Sequence, residues 1–272
     1  MTIVYATGTS HAPGMTAWTD AAPADQKERL FAGFEKMRAA FSASKPDVVL
    51  ALTSEHWVNF FLDHVGAFCI GRADHYIGPV EPWLRVDKSS IPGDPVLAEK
   101  LLAQCYENGF ELNYSHEMAL DHGTIVPLHF LMPDKNIPIV PIVFNTLATP
   151  RPTPKRCVEL GKVLRSVLEN SNKRIAVVAT GGLSHDPGEV KHGFIDTDFD
   201  ERFIGNMQRG DLTALSAYSD AEMLAAGAGT MELLAWLTMA GIMGERGADL
   251  VTYEAVKPWA TGIGIMSYPI AV

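Results

Sequence analysis

Three apolar, strand-like runs of this chain each end in a turn that is followed by a histidine. They read TIVYATGTS before His11, DVVLALTSE before His56 and RIAVVATGGLS before His185. Continuous Val, Ile and Ala content is typical of strands that are covered on both faces. Because open α/β sheets hold ligands and metals just beyond the ends of their strands, three such histidines from distant segments predict one assembled site.

Helical periodicity separates these runs from one another and from three further strand-like runs. The predicted strands are Ile3–Ala6, Val48–Leu52, Gly66–Ile70, Ile137–Phe144, Ile175–Ala179 and Gly262–Tyr268. Apolar residues at three- and four-residue spacing predict helices over Asp25–Ser44, Pro95–Asn108, Pro154–Glu169, Phe199–Met207 and Thr230–Met243. Helices alternating with buried strands predict an α/β fold: one domain over residues 1–272, with a central, mostly buried mixed sheet flanked by helices on both faces.

Charge and cysteine usage narrow the possible partners. The formal net charge of −10 argues against nucleic acid or an anionic membrane surface as the main partner. The alternative explanation of the charge is that it only keeps the protein soluble. Cys69, Cys105 and Cys157 show no C-x-x-C spacing, so neither a thiolate zinc site nor a disulfide framework is indicated. The first residues lack a basic signal-peptide region, and the longest apolar stretch, Leu233–Met243, is too short to cross a bilayer. We therefore predict a cytoplasmic protein with no nucleic-acid or membrane partner.

Two of the three histidines are candidate metal ligands. His11 lies in GTSHAPG, where Gly and Pro define a tight loop, and it could bind a metal or hydrogen-bond to nearby backbone. His56 follows its strand at the corresponding position and could instead pack against Trp57 or Phe60. Glu55 could accept a hydrogen bond or be solvated. Because adjacent residues of an extended segment point in opposite directions, Glu55 and His56 are not expected to bind one ion.

The carboxylate that could complete the site is Glu232, near the start of an almost wholly apolar predicted helix. Burying a carboxylate there is costly unless a cation or hydrogen bonds compensate it. Thr230 is a plausible N-cap, and a helix N-terminus favours negative charge, so local stabilisation of Glu232 is the alternative. Two histidines and one carboxylate form the facial triad of non-haem Fe(II) oxygenases, but zinc hydrolases also use two His and one Glu. The residue set alone does not select the metal.

Two further histidines would then be available for acid–base chemistry, to which imidazole is suited near neutral pH. His185 lies in GGLSHDPG and His122 lies in LDHGTIVPL. The alternative for His185 is a turn histidine held by its neighbours. The alternative for His122 is a residue at the start of a helix that packs in the core, where Asp121 either orients the ring or only caps the helix.

Five motifs in order resemble the class III extradiol ring-cleavage dioxygenases, with the catalytic β subunit of protocatechuate 4,5-dioxygenase as the nearest type. They are GTSH, EHWVNFFLD, DHGTIVPL, GGLSH and a late helical glutamate, and they span residue 7 to about residue 236. The resemblance implies Fe(II) held by His11, His56 and Glu232. It also implies His185 as the acid–base residue near substrate and O₂, and His122 as a second histidine in the pocket.

The resemblance also implies an activity and partners. The activity is extradiol cleavage of a catechol- or aminophenol-type ring in aromatic catabolism, with both atoms of O₂ incorporated. The partners are the small aromatic substrate, O₂, and either a small helical subunit or a second copy of the chain. A zinc-dependent hydrolase and a non-catalytic metal-binding protein on the same scaffold are the alternatives. Lys257 and Tyr253, in YEAVKPW, could reach the pocket or lie in a surface loop.

Overall fold

The apolar runs form the centre of a mixed eight-stranded sheet in the computed structural model, which describes residues 2–188 and 190–270. The strands are β1 (Ile3–Thr9), β2 (Val48–Ser54), β3 (Phe68–Gly71), β4 (His75–Gly78), β5 (Ser89–Pro92), β6 (Asn113–Ser115), β7 (Ile139–Phe144), β8 (Ile175–Thr180), β9 (Asp249–Val256) and β10 (Thr261–Ser267). The sheet has the order β6-β3-β7-β2-β8-β1-β10-β9, and β4 pairs with β5 in a separate hairpin. The central strands β7, β2, β8 and β1 are parallel, whereas β10 is antiparallel to both β1 and β9.

Helices cover both faces of this sheet, as the sequence predicts. The α-helices are α1 (Gly14–Ala17), α2 (Ala24–Ser44), α3 (Pro95–Glu107), α4 (His122–Leu131), α5 (Pro154–Glu169), α6 (Thr197–Arg209), α7 (Leu212–Ser216), α8 (Asp220–Ala225) and α9 (Leu233–Met243). Alternate residues of β2 enter different cores: Leu50 packs with α3, α5, α6 and α9, whereas Val49 packs with α2 and α4. Successive side chains of a strand point to opposite faces, so a continuous apolar run supplies two cores at once.

Strands with an exposed or polar face were not predicted. β9 has mixed polar and apolar residues and is mostly half-buried, because it lies at the edge of the sheet. The short strands β4, β5 and β6 are similarly polar and partly exposed. Short edge strands lack the uninterrupted apolar signal that identifies the central ones. The six predicted strands all form, with small shifts at their ends.

The predicted cap at Thr230 is wrong. Residues 228–232 form a 3₁₀-helix, and α9 begins only at Leu233. The Thr230 hydroxyl is buried, and among the described residues it has no hydrogen-bond partner. Because the chain is already helical at Thr230, that residue lacks the extended backbone of an N-cap. No helix in the described part of the chain is long and apolar enough to cross a membrane.

Candidate metal centre

Three histidines from distant parts of the chain meet at the carboxyl ends of the parallel strands. His11 follows β1, His56 follows β2 and His122 begins α4. Their ring centroids are 5.1 Å apart for His11 and His56, 4.1 Å for His56 and His122, and 5.4 Å for His11 and His122. One nitrogen of each ring lies within 4.8 Å of a nitrogen of the other two, so the three could contact one metal ion.

Glu232 brings a buried carboxylate into contact with two of these imidazoles, those of His11 and His56, and with the imidazole of His185. Its Oε2 lies 3.0 Å from His11 Nε2, and its Oε1 lies 3.2 Å from His56 Nε2 and 3.5 Å from His185 Nε2. The backbone N–H of Gly182 donates to Oε2 over 2.6 Å. Burial raises the pKa of Glu232, but His11 and His185 outweigh burial and hold the pKa well below its ordinary value. Glu232 is therefore an anion that three neighbouring imidazoles surround.

The donor set fits a divalent metal ion. Among the described residues the buried His11 Nε2 has no hydrogen-bond partner, although Glu232 Oε2 is 3.0 Å away. Two ligand atoms that each lie about 2.1 Å from one ion, at right angles, are about 3.0 Å apart. The 3.0 Å contact between His11 Nε2 and Glu232 Oε2 lacks hydrogen-bond geometry, and it is the spacing expected of two atoms that bind the same cation. Imidazole and carboxylate together suit Fe(II) and Zn(II), so the donors fit a metal without identifying it.

Hydrogen bonds to the Nδ1 atoms orient the two predicted ligand histidines. His11 Nδ1 lies 3.1 Å from Thr180 Oγ1, and His56 Nδ1 lies 2.8 Å from Asp121 Oδ2. Burial lowers the pKa of His56, but the carboxylates of Asp121 and Glu232 raise it well above its ordinary value. Partners of this kind fix the ring orientation of metal-binding histidines and leave Nε2 for the ion.

His122 is held by Glu81, a residue that no sequence motif indicates. Glu81 Oε1 lies 2.6 Å from His122 Nδ1 and accepts the backbone N–H of His122 over 3.1 Å. Asp121 does not orient His122. It bonds to His56 and caps α4 by accepting the N–H of Gly123 over 2.9 Å. No short-range pattern links Glu81 to residues about forty positions later, because the contact forms only when the β4–β5 hairpin packs beside α4.

His185 lies in a slot between two glycine-containing segments. Its Nδ1 bonds to the carbonyl of Leu183 over 2.7 Å, and its Nε2 faces Glu232. A Cβ on Gly182 would lie 2.6 Å from His185 Cε1, and one on Gly229 would lie 2.2 Å from His185 Nε2. Neither glycine can carry a side chain unless His185 moves. The GGLSH and AGAGTME segments therefore pack directly against each other, which places His185 beside the carboxylate.

Comparison with known proteins identifies the family. A family model described as the catalytic LigB subunit of aromatic ring-opening dioxygenase matches residues 5–264. The chain belongs to this family. The resemblance to extradiol ring-cleavage dioxygenases that the five motifs indicate is thereby confirmed, and the chain is an extradiol ring-cleaving enzyme by family.

Relatives of this LigB-family protein carry names that agree with the assignment. A 2,3-dihydroxyphenylpropionate/2,3-dihydroxicinnamic acid 1,2-dioxygenase of Photorhabdus laumondii is 24% identical, with 95% of each chain covered. One of the same name from Klebsiella pneumoniae is 26% identical, covering 89% of this chain and 91% of the relative. The crystal structure of the uncharacterized protein JW3007 from Escherichia coli K12 has a TM-score of 0.62 at 17% identity, covering 86% of this chain and 91% of that one. This last likeness concerns the fold.

Glu55 has a structural role in the LigB-family site. It is buried, and its Oε1 accepts the N–H groups of Val58, of Asn59 over 2.6 Å and of Phe60 over 3.1 Å. The alternative of a solvated surface charge is therefore wrong. Glu55 fixes the turn that follows His56 and points away from the imidazole cluster, because successive residues of the extended strand end face opposite ways.

A buried carboxyl group, Asp200, anchors the loop that carries His185. Its oxygens accept the N–H of Ser184 over 2.7 Å, the Ser184 hydroxyl over 2.9 Å and the Tyr253 hydroxyl over 2.6 Å. The Tyr253 hydroxyl is therefore hydrogen-bonded to Asp200, and Lys257 is exposed on a 3₁₀ turn. Burial raises the pKa of Asp200 to about 6, and the hydrogen bonds from Tyr253 and Ser184 only partly offset it.

Asp200→Asn should flatten the pH dependence of stability. Since the pKa of Asp200 is raised in the folded protein, ionisation of its carboxyl lowers the free energy of unfolding as the pH rises through about 6. Between pH 5 and 7.5 this amounts to about 1 kcal/mol, or a few degrees in Tm. Thermal melts of both proteins at these two pH values test it. If the Tm of the two proteins changed equally between the two pH values, the pKa of Asp200 would be the same in the folded and the unfolded chain.

Proposed function

We propose that this protein cleaves a catechol-type ring in the extradiol manner, next to its two oxygen atoms, with Fe(II) as the metal and O₂ as the oxidant. The observation that supports this most strongly is the contact of Glu232 with three imidazoles inside a ring-opening dioxygenase chain. Residues 1–272 act in this proposal as one catalytic domain. An aminophenol offers similar donors and is the second substrate class.

In this proposal His11, His56 and Glu232 hold the metal. His11 and His56 follow β1 and β2, and Glu232 ends the 3₁₀-helix before α9. The two histidines are oriented through Nδ1 by Thr180 and Asp121. Fe(II) bound there would supply Lewis acidity toward the catechol oxygens and electron transfer between ring and O₂. Glu232 would offset one charge of a divalent ion bound there, which leaves one charge at the ion for an anionic catecholate oxygen, while the carboxylates of Asp121 and Glu81 lie behind the rings of His56 and His122.

His185 is the proposed acid–base residue. The Leu183 carbonyl accepts the proton of Nδ1, so the neutral ring presents an unprotonated Nε2 toward the site. Nε2 takes the proton of a substrate hydroxyl and later returns it to the oxygen that leaves in ring opening. Because His185 is buried, this proton is held away from bulk water. His122, whose Nδ1 is bonded to Glu81, is the second histidine proposed to line the pocket, and its ring lies beside those of His11 and His56.

We propose a catechol that carries a short side chain as the substrate. The relatives named above are dioxygenases of 2,3-dihydroxyphenylpropionate. The coverage of both chains is nearly complete, which supports carrying the substrate class over to this protein. A cytoplasmic location, a separate small helical subunit and association with a second copy all stay predictions.

Metal-dependent oxygen uptake tests the proposal. Protein stripped of metal is loaded without oxygen with Fe(II) or, as a matched control, with Zn(II), and then receives 2,3-dihydroxyphenylpropionate and oxygenated buffer. We expect one O₂ consumed per substrate and a yellow ring-opened product with Fe(II), and neither with Zn(II). Ester or amide hydrolysis by the Zn(II) form, without oxygen uptake by the Fe(II) form, would instead support a hydrolase.

A further inference from the structure

Two tryptophans stand exposed beside each other at one side of the histidine cluster. Trp18 is 43% exposed and Trp83 is 48% exposed, and their ring centroids are 6.0 Å apart. They come from segments 65 positions apart in the sequence, so the fold brings them together. Large aromatic side chains that contact each other and remain open to solvent are typical of binding surfaces.

Trp83 is connected to the candidate metal centre. Its ring centroid lies 6.3 Å from that of His122, whose ring is 4.1 Å from that of His56. Two residues before Trp83, Glu81 binds both the ring and the backbone of His122. His56, His122, Trp83 and Trp18 therefore form a row of neighbouring rings that leads from the cluster to the exposed tryptophans.

Trp18 is held in place by contacts near His11. The Trp259 indole N–H donates to the Trp18 carbonyl over 3.3 Å. A Cβ on Gly14 would lie 2.3 Å from the Trp259 ring and 2.7 Å from Trp18 Nε1, so both indoles pack closely over Gly14. Gly14 is three residues beyond His11. Trp18 is thus positioned before any ligand arrives, which lowers the cost of binding.

We propose that Trp18 and Trp83 form a subsite for the carbon side chain of the catechol substrate. This deepens, and rests on, the function proposed above. A ring whose oxygens face the metal ligands lies beside His122, and its substituent extends past Trp83 toward Trp18. Indole faces favour an apolar or unsaturated chain of a few carbons. Trp83 contacts the part of the chain nearest the ring, and Trp18 contacts the outer part.

The size of the patch favours a small ligand over a protein. About half of each indole is open, which corresponds to roughly 200 Å² in total if a tryptophan offers about 200–250 Å². A stable protein interface needs about 800 Å² per partner. The neighbouring rings of Trp83, His122 and His56 also place the patch beside the candidate metal centre, where the outer end of a substrate pocket is expected.

Calorimetric titration of the Fe(II)-loaded protein without oxygen tests the subsite, because it measures binding without turnover. The ligands are catechol, which lacks a side chain, and 3-propylcatechol, whose side chain is three apolar carbons. We expect Trp18→Ala to lower the affinity for the second ligand about tenfold and the affinity for catechol less than twofold. Trp18→Phe should restore most of the affinity. Tyr106→Ala, which removes an equally exposed aromatic on α3, should bind both ligands as the unchanged protein does.

Iron content and Tm of each variant separate loss of the subsite from loss of the fold. If the unchanged protein binds neither catechol, the proposed function fails. If it binds both and Trp18→Ala binds them equally well, or loses affinity for both alike, the subsite is overturned. Unchanged affinities together with an altered oligomeric state of Trp18→Ala would make the pair an interface between copies and would also overturn it.

Discussion

Glu232→Gln should abolish stoichiometric Fe(II) binding while leaving the protein folded. Glutamine keeps the shape of the side chain and can still accept the N–H of Gly182, but it carries no charge. Without that charge, only imidazoles would face the dication, and the affinity should fall by at least about a hundredfold. Iron content after anaerobic loading and gel filtration, with Tm measured in parallel, gives the result directly.

The matched control is Glu55→Gln, which alters another buried carboxylate near His56. Glu55 Oε1 accepts backbone N–H groups of the following turn, so its replacement should lower Tm and leave iron content near one per chain. If Glu232→Gln retained one tightly bound iron, Glu232 would be only a hydrogen-bond acceptor. The third donor would then have to be His122, which the ring distances also permit.

His185→Ala should retain iron and lose most of its turnover. The variant keeps His11, His56 and Glu232 but removes the Nε2 atom that we propose takes the substrate proton. Positioned acid–base groups contribute about 10²- to 10⁴-fold, so kcat should fall by at least a hundredfold at equal iron content. Ring-opened product formed per iron per second is the measurement.

His192→Ala serves as the control, because His192 is exposed and lies on the same extended loop. It should leave kcat and iron content unchanged. A kcat of His185→Ala within twofold of the unchanged protein would remove His185 from proton transfer. A loss of iron together with turnover would assign His185 to the metal instead.

The location of the site could be predicted because strand ends are visible in sequence. The apolar runs before His11, His56 and His185 form β1, β2 and β8, which are adjacent and parallel. Their carboxyl ends therefore meet, and the histidines that follow them meet as well. Continuous apolar content carries this information, because each run is buried on both faces over its whole length.

The partners of those histidines could not be predicted, because they depend on long-range packing. Glu81 and Asp121 orient His122 and His56 through contacts between segments far apart in the chain. Nothing in the local sequence around Glu81 marks it as the partner of a histidine about forty positions later. The glycines before Glu232 also have a long-range cause, because Gly227 and Gly229 pack against His185.

Labelled oxygen gives the most direct test of the proposed reaction. The Fe(II)-loaded protein converts 2,3-dihydroxyphenylpropionate under ¹⁸O₂ in unlabelled water, and the product is reduced with borohydride at once to prevent exchange of its carbonyl oxygen. We expect mass spectrometry to show two ¹⁸O atoms in each ring-opened molecule. A product that contains no ¹⁸O, or oxygen drawn from water, would contradict cleavage by a dioxygenase.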